Sequence, residues 1–180
     1  MFKIFLFFFC LFFINYKLFA ENIGSDTGYK LPRFVSLKSN DSNLRIGSST
    51  NYPIVLKYIN ANMPIEIIDE YSDWRKINDH KGNLGWLHKS LIKGDRYAII
   101  QSAHNSSVQI YNKPMGKLIG KIGKNNIVKI NTCLLKWCLV SHSNNKGWIT
   151  KKNLWGVYEK EKINIPFYQL IKNQIWKINF

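Results

Sequence analysis

Between residues 33 and 154 the sequence alternates apolar and polar positions in short runs, and each run is bounded by turn-favouring residues such as Gly, Pro, Asn, Asp or Ser. Alternation with a period of two is typical of a β-strand with one buried face. Strands are predicted over 33–38, 44–46, 54–59, 65–71, 74–77, 84–88, 97–100, 108–111, 117–122, 127–130, 137–140 and 147–150. No amphipathic helix longer than about ten residues interrupts them, so the pattern predicts an all-β barrel or sandwich.

One stretch of this pattern occurs twice. Residues 64–91, PIEIIDEYSDWRKINDHKGNLGWLHKSL, are matched by residues 126–154, NIVKINTCLLKWCLVSHSNNKGWITKKNL. The two Trp of each copy are 12 residues apart in the first and 11 residues apart in the second. The matched pairs are Trp74 with Trp137 and Trp86 with Trp148. A repeat at this spacing indicates two copies of one structural module.

The repeat and the flanking composition divide the chain into five segments. They are a signal peptide (1–20), a linker (21–32), a first β-module (33–93), a second β-module (97–158) and a C-terminal tail (159–180) that repeats nothing. The join between the modules is so short that we expect them to touch.

The N-terminal segment has one Lys followed by an apolar run from Ile4 to Ile14. This is the signal-peptide pattern, and the run is short for a membrane span. Cleavage after Ala20 would release a periplasmic or secreted chain with no transmembrane span. Because Leu18 stands where a small residue is usual, an uncleaved anchor is the alternative.

The chain is strongly basic, with 26 Lys and Arg against 11 Asp and Glu and a formal net charge of +15. Without residues 1–20 the net charge is +13. A basic balance is typical of proteins with anionic partners such as nucleic acid, a membrane surface or a cell-wall polymer. However, Lys outnumbers Arg 22 to 4, which is the bias of an AT-rich genome. Because an exported protein rarely meets nucleic acid, we expect no nucleic-acid partner.

Several segments resemble the bacterial SH3-type (Src-homology-3-like) domain proteins, and more narrowly the exported alphaproteobacterial proteins that carry two such modules. In the first module they are LPRFVSLKS (31–39), NLRIGSSTNYPI (43–54), PIEIIDEYSDWRKI (64–77) and GWLHKSL (85–91). In the second they are Cys133, Trp137-Cys138, GWI (147–149) and LWGVY (154–158). The resemblance implies an SH3-like barrel of about five or six strands per module, no established enzyme activity, and a ligand that is generally unknown. The chain departs from the family at Ser48, where Pro is usual.

Cys133 and Cys138 are the only cysteines after the N-terminal segment. An even pair in an exported protein indicates a disulfide, and antiparallel strands can bring such positions to the required Cα separation of about 4.4–6.8 Å. The family resemblance agrees with this pairing. A metal site with His142 would lack a fourth ligand, and a redox pair would have the Cys-x-x-Cys spacing. We therefore expect a disulfide, and neither a metal nor a cofactor.

Candidate catalytic groups are few. A Cys nucleophile would need a free thiol and a His base, and a disulfide removes the thiol. Paired carboxylates can hydrolyse glycosidic bonds, but period two places Glu66 and Glu70 on one strand face and Asp69 and Asp73 on the other, which is typical of a solvated edge. The remaining candidates are Asp79 and the histidines predicted at the surface, His80, His88 and His104. We expect no enzyme activity.

Binding is the remaining class of function, and its candidate groups are aromatic. An aromatic-lined groove would be formed by Tyr52, Tyr58, Tyr71, Trp74, Trp86, Tyr111, Trp137 and Trp148. Eukaryotic SH3 domains bind polyproline helices in such grooves. The alternative, which we favour for the Trp of each Gly-Trp pair, is a position in the core.

In an exported compartment the leading ligand is cell-wall peptidoglycan, bound through its glycan or its stem peptides. Lys57, Lys89 and Lys93 are then available to pair with its carboxylates, although each exposed pair contributes little. The alternative is a periplasmic adaptor that binds a protein partner through the barrels and the tail. The apolar tail residues that would form this contact are Phe167, Tyr168 and Trp176.

Overall fold

The computed structural model describes residues 21–103 and 105–165. The predicted signal peptide and the tail residues Phe167, Tyr168 and Trp176 lie outside the described residues. The described chain forms fourteen β-strands in two sheets of seven, with a short 3-10 turn before the last strand of each sheet. The prediction of an all-β chain built from two tandem modules is confirmed.

The first module contains seven short strands. They are β1 (Arg33–Leu37), β2 (Ser42–Arg45), β3 (Ile54–Tyr58), β4 (Pro64–Tyr71), β5 (Trp74–Asn78), β6 (Leu84–His88) and β7 (Ile92–Lys93). The sheet order is β3-β2-β6-β5-β4-β1-β7, and its strand pairs are antiparallel. A 3-10 turn at Lys89–Leu91 precedes β7.

The second module repeats this topology. Its strands are β8 (Tyr97–Ile100), β9 (Ser107–Tyr111), β10 (Leu118–Gly123), β11 (Ile127–Cys133), β12 (Trp137–His142), β13 (Asn145–Thr150) and β14 (Leu154–Trp155). A 3-10 turn at Lys151–Asn153 precedes β14. The sheet order, β10-β9-β13-β12-β11-β8-β14, is that of the first module with each number raised by seven. The two-residue strands β7 and β14 bring each module to seven strands, above the five or six that the family resemblance implied.

The Gly-Trp pairs show which face of each hairpin is buried. In β6, Gly85 and Leu87 face the core, and Trp86 between them faces outward and is half-buried. A Cβ added to Gly85 would lie 2.7 Å from a side-chain carbon of Leu44, so glycine allows β2 to pack closely here. Trp148 in β13 is placed in the same way. The expectation that these two Trp lie in the core is wrong, because their neighbours in the strand occupy the inward positions.

Each module has its own apolar core. The buried residues of the first core are Leu31, Val35, Leu37, Leu44, Tyr58, Met63, Ile65, Ile67, Ile77, Leu87 and Ile99. Those of the second core are Ala98, Ile100, Val108, Ile122, Val128, Ile130, Cys133, Cys138, Val140, Ile149, Leu154 and Ile163. Ile99 belongs to β8 but packs in the first core, so the second module contributes to the interior of the first.

Aromatic rings also join the two modules. The ring of Phe34 in β1 lies 5.0 Å from that of Trp155 and 4.7 Å from that of Tyr158, measured between centroids. The Tyr158 hydroxyl donates a hydrogen bond of 2.8 Å to Glu66 in β4. Burial, with this bond to a carboxylate, raises the pKa of Tyr158. The predicted contact between the modules is confirmed.

The disulfide between Cys133 and Cys138 is confirmed. Their sulfurs are bonded at 2.00 Å, their Cα atoms lie 4.1 Å apart, and both residues are fully buried. The two residues are direct cross-strand partners of β11 and β12. The bond therefore joins the two strands at the end of their hairpin.

Residues 21–32 differ from the linker that the sequence predicts. Ile23 and Lys30 form a β-bridge, Leu31 is buried in the first core, and the turn between them packs on β4. The described start of the tail is also packed, because Ile163 forms a bridge with Cys133. Within residues 21–103 and 105–165 there is no helix of sufficient length and apolar character to cross a membrane.

Candidate ligand-binding site

The predicted groove residues divide into three groups by exposure. Tyr52 and Tyr71 are exposed. Trp74, Trp86, Tyr111, Trp137 and Trp148 are half-buried and project from the outer faces of the sheets. Tyr58 is buried, with 5% of its surface exposed. The eight residues therefore do not form one continuous groove.

Tyr58 is a core residue and is a correction to the predicted groove. Its ring packs in the first core, and its hydroxyl donates a 3.1 Å hydrogen bond to Asp79. Burial, together with the nearby carboxylate, raises the pKa of Tyr58. Asp79 also accepts bonds from the backbone N–H groups of Lys81 and Asn83, at 2.8 and 2.9 Å. The pair thus closes the β5–β6 hairpin from inside.

Asp79 remains ionised at neutral pH in this setting. Burial alone would raise its pKa, but hydrogen bonds from Asn83, Lys81 and Tyr58 outweigh burial and hold the pKa below its usual range. Its neighbour His80 has a lowered pKa because burial disfavours the charged imidazolium. Both side chains line a cleft of about 340 Å³ at the contact between the modules.

Glu70 is a second correction, because the sequence predicts a solvated strand edge and the structure buries this residue. A β-bulge between Ile67 and Asp69 shifts the alternation by one residue and turns Glu70 inward. Its carboxylate accepts bonds of 2.9 Å from Arg33 and 2.8 Å from the Thr27 hydroxyl.

The Glu70 carboxylate is therefore part of an internal network. Burial would raise its pKa, but the hydrogen bonds from Arg33 and Thr27 and the charge of Arg75 lower it below the usual range. The network anchors residues 21–32 to β4. Within the described part of the chain, no group of three or more His, Cys, Asp or Glu side chains is placed to hold a metal ion.

In the first module, the half-buried Trp residues lie on the outer face of β5 and β6. Trp74 contacts His88 edge-on, with ring centroids 5.4 Å apart. Trp86 is the cross-strand partner of Arg45 on one side and Lys76 on the other. Aromatic and cationic side chains therefore alternate across this face.

The second module brings its aromatic residues to two neighbouring clefts. Trp137 contacts Tyr111 edge-on at 5.4 Å between centroids, and Tyr111 is the cross-strand partner of Trp148. A polar cleft of about 770 Å³ is lined by Ser102, Asn105, Ser106, Ser107, Val108, Gln109, Tyr111, Lys121, Thr150, Lys152 and Asn153. A more apolar cleft of about 750 Å³ is lined by Leu135, Lys136, Trp137, Thr150, Lys151, Lys152, Leu154, Val157, Glu159 and Lys160. We call the two together the Trp137 face.

Thr150 and Lys152 line both clefts, so the clefts adjoin each other. Lys151 is buried, and its ammonium donates hydrogen bonds to the backbone carbonyls of Glu159 and Glu161. Burial lowers the pKa of Lys151. Lys136, Lys152 and Lys160 are exposed instead, and within residues 21–103 and 105–165 none of the three forms a salt bridge. Their charges are available to a ligand.

The charge of the second module is entirely positive. Residues 97–158 contain nine Lys and no Asp or Glu, whereas residues 33–93 contain six Asp and Glu against nine Lys and Arg. The net charge of the whole chain does not show this asymmetry, but a count of charged residues in each module does. No pattern in the sequence predicts that Leu135 and Val157 line a cleft. Leu135 lies in a turn and Val157 follows the last strand, so neither belongs to an alternating run.

Solved structures match this chain at low similarity. An NlpC/P60 family protein from Bacillus cereus ATCC 10987 has a TM-score of 0.31 and 12% identity, over 78% of this chain and 61% of that one. NlpC1 from Trichomonas vaginalis has a TM-score of 0.29 and 13% identity, over 73% of this chain and 48% of that one. The chain thus spans less than two thirds of either protein. No curated protein matches the sequence significantly.

The sequence itself matches one domain family twice. The matches, to the bacterial SH3 domain, cover residues 38–94 and 110–156, which is more than half of the chain. Each match includes strands from β2 to β7 or their counterparts β9 to β14. Sequence repeat, sheet order and family match agree, and the chain is a member of the bacterial SH3 domain family with two tandem SH3-like modules.

Proposed function

We propose that this protein is a non-catalytic binding protein of the bacterial cell envelope, and that its second module recognises peptidoglycan through the Trp137 face. One observation carries the proposal: a polar cleft and an apolar cleft adjoin at Thr150 and Lys152, with Trp137 in the apolar cleft and Tyr111 in the polar one. The export on which an envelope location depends is part of the proposal.

The two clefts fit the two chemistries of peptidoglycan. Sugar rings present hydroxyl groups and apolar ring faces, and the polar cleft offers amide groups from Asn105, Gln109 and Asn153 beside the Tyr111 ring. Stem peptides carry small apolar side chains and free carboxylates. The apolar cleft offers Leu135 and the Trp137 ring for the former, and its rim offers exposed Lys for the latter.

Charge favours the same module. Residues 97–158 contain no carboxylate, and Glu159 is the one acidic residue among those that line the Trp137 face, so a ligand carboxylate there meets mostly lysines. In the first module, by contrast, Lys57 is paired with Asp41 at 3.0 Å and Lys89 with Asp73 at 2.6 Å. The sequence predicts both lysines as partners for ligand carboxylates, but in the structure they are paired within the first module.

The test is co-sedimentation of the purified protein with purified peptidoglycan at low and at high salt. Exposed charges are screened at high salt, so we expect the binding that depends on cleft contacts to persist there. Trp137→Ala should weaken it roughly tenfold, the effect of removing a central aromatic contact. Trp74→Ala, the same position in the first module, is the matched control and should retain at least half of the binding.

Three results would count against the proposal. Binding that vanishes at high salt would mean that only the basic charge was measured. Equal losses in Trp74→Ala and Trp137→Ala would assign no role to the second module in particular. Absence of binding at both salts would favour the adaptor function with a protein partner. Lys152→Gln, an exposed substitution, keeps the test informative if Trp137→Ala fails to fold.

A further inference from the structure

The strand β10 is the free edge of the second sheet. Among the described strands it pairs with β9 alone, so alternate N–H and C=O groups point away from the sheet. A bulge at Ile119 interrupts the pairing, because Leu118 opposes Tyr111 while Gly120 opposes Ile110. The first four residues of β10 are exposed, and Leu118 and Ile119 retain 44% and 52% of their exposed surface.

An apolar cleft opens beside this edge. It has a volume of about 320 Å³, and its apolar walls are Ile110, Ile119, Ile122 and Val140, with Lys121, His142 and Lys146 among its polar residues. A Cβ added to Gly120 would meet no atom within 4 Å, so the space next to this strand is empty. The cleft has room for an apolar side chain.

The first module also has a cleft beside its edge strand β3, of about 340 Å³, but the side chains that line it are larger. In the first module Leu56 in β3 pairs with Leu44, and in the second module Gly120 in β10 pairs with Ile110. Leu56 therefore corresponds to Gly120. Leu56 packs against the first core. In the same register Tyr58 corresponds to Ile122. The cleft beside β10 therefore differs from that beside β3 in its lining, with a glycine in place of a leucine and an isoleucine in place of a tyrosine.

The charge around β10 selects among possible occupants. Lys113, Lys117, Lys121 and Lys124 lie within or next to the strand, and the whole second module has no carboxylate to neutralise them. A second copy of the chain, paired through β10, would bring these lysines opposite one another, which is destabilising. A strand with acidic side chains would instead gain from each of them.

We propose that the β10 edge is a docking site for an extended, acidic segment of a partner protein, which adds an eighth strand to the second sheet. Side chains of a strand alternate between its two faces. An apolar residue on one face would enter the cleft at Ile119 and Gly120, and the acidic residues on the other would meet Lys121 and its neighbours. The main-chain hydrogen bonds would supply affinity, and the cleft and charges would supply selectivity.

The probe is a fluorescein-labelled, end-blocked peptide in which glutamate and leucine alternate, followed by fluorescence anisotropy with the purified protein. Gly120→Leu, which restores the first module's residue, should weaken binding roughly tenfold because it fills the cleft. Ile119→Asp should weaken it at least as much. Val55→Asp is the matched control, since Val55 is the corresponding bulge residue of the first module and is also 52% exposed.

Modified peptides separate main-chain pairing from charge. A peptide N-methylated on every residue has no backbone N–H to donate at either edge and should lose binding, and so should a peptide with lysine in place of glutamate. Equal binding of the N-methylated peptide, or of polyglutamate without leucine, would overturn the proposal. So would a concentration-dependent dimer of the protein alone that Ile119→Asp dissociates, because the edge would then be an interface between copies.

Lys121 lines both the polar cleft of the Trp137 face and the cleft beside β10, but Trp137 and Gly120 each line only one of the two sites, so the two proposals can be tested separately. Trp137 does not line the cleft beside β10, so Trp137→Ala should leave the affinity for the peptide unchanged while it lowers sedimentation with peptidoglycan. Conversely, Gly120→Leu should leave sedimentation unchanged. A variant that lowers both equally would show that the two sites are not separate, and would overturn the assignment of the peptide to β10.

Discussion

The two modules stabilise the same strand pair by different chemistry. Glu70 and Arg75 are direct partners at the end of the β4–β5 hairpin, and Cys133 and Cys138 are direct partners at the corresponding end of β11–β12. The first pair is a buried carboxylate and guanidinium with 3.6 Å between Oε1 and Nε, and the second is a disulfide. A covalent bond needs no further partners, whereas a buried charge must have each of its bonds satisfied.

That requirement explains why residues 21–32 are ordered. The Glu70 carboxylate accepts hydrogen bonds from the backbone N–H and the hydroxyl of Thr27 and from Arg33. Arg75 lies 3.4 Å from the carboxylate of Asp26. The first module therefore extends into the preceding segment. The disulfide leaves the second module without any need for carboxylates, which is consistent with its entirely positive charge.

The two modules also differ in how their charged side chains are paired. In the first module Glu70 and Asp79 are buried, and exposed Asp41 and Asp73 pair with lysines. In the second module the lysines of β10 and the Trp137 face have no carboxylate of the same module to pair with. We infer that the first module is the scaffold of the pair and that the second module is the one available to ligands.

The largest loss in the free energy of unfolding is expected for Glu70→Gln. This change leaves the charges of Arg33 and Arg75 without a carboxylate in a buried site, and breaking such a network typically costs about 3–5 kcal/mol. Urea unfolding followed by Trp fluorescence should show a loss of that order. Asp73→Asn, which removes an exposed partner of Lys89, is the control and should change the midpoint little. A midpoint for Glu70→Gln equal to that of the unaltered protein would show that the network is not stabilising.

A smaller loss in the free energy of unfolding is expected for the double variant that carries Cys133→Ala and Cys138→Ala. The disulfide closes a loop with a sequence separation of only 5 residues, and constraining so short a loop in the unfolded chain contributes about 2 kcal/mol. The same urea experiment measures the loss, and reduction of the unaltered protein by dithiothreitol should reproduce it. If the reduced protein and the double variant were both as stable as the oxidised protein, the disulfide would have no stabilising role.

The strands, the repeat and the disulfide could be predicted because each depends on local pattern. Alternation and turn residues predicted every strand of four or more residues to within a few positions, and the spacing of Trp74 and Trp86 predicted the second copy. Burial of Glu70 could not be predicted, because a bulge two residues earlier in the strand reversed the alternation. The outward direction of Trp86 depended on how closely β2 approaches Gly85, which is a tertiary contact.

The candidate site was predicted only in part. Trp137 and Tyr111 were identified as aromatic candidates, but the clefts on either side of them combine residues from turns, β9, β13 and the segment after β14. A pattern of residue types cannot show which of these segments meet. The sequence predicts Tyr58 as one of the aromatic residues of the groove, and only the position of Asp79 shows that its hydroxyl is engaged in the core.

Lowering the pH should destabilise the first module more than the second. The expected loss of stability lies between the loss from breaking the Glu70 network and the loss from removing a single hydrogen bond. The folded pKa values of Glu70 and Asp79 lie below their ordinary values of 4.5 and 3.8, so their stabilisation is complete above those values and is lost as the pH falls through the folded pKa. The urea midpoint should therefore begin to fall as the pH is lowered below 4.5, through Glu70, and fall further below 3.8, through Asp79.

The acid effect should also be local. Hydrogen exchange, corrected for its intrinsic pH dependence, should show earlier loss of protection in β4 and β5 than in β11 and β12, which contain no carboxylate. Glu70→Gln should remove a large part of the pH dependence. Loss of protection at the same pH in both hairpins would mean that the contact between the modules makes their unfolding a single event.

The smallest effect is expected from Tyr58→Phe. The phenyl ring keeps the core packing, and the change removes one buried hydrogen bond, which typically contributes about 1 kcal/mol. Asp79 would keep its bonds from Lys81 and Asn83, so the hairpin loop should stay closed and urea unfolding should show only a small shift. Tyr111→Phe, on the exposed face of the second module, is the control. A loss as large as that of Glu70→Gln would mean that Asp79 depends on Tyr58 to be tolerated in the core. The β5–β6 hairpin would then be closed by one coupled network, unlike its counterpart, where Ile122 and His142 stand in the places of Tyr58 and Asp79.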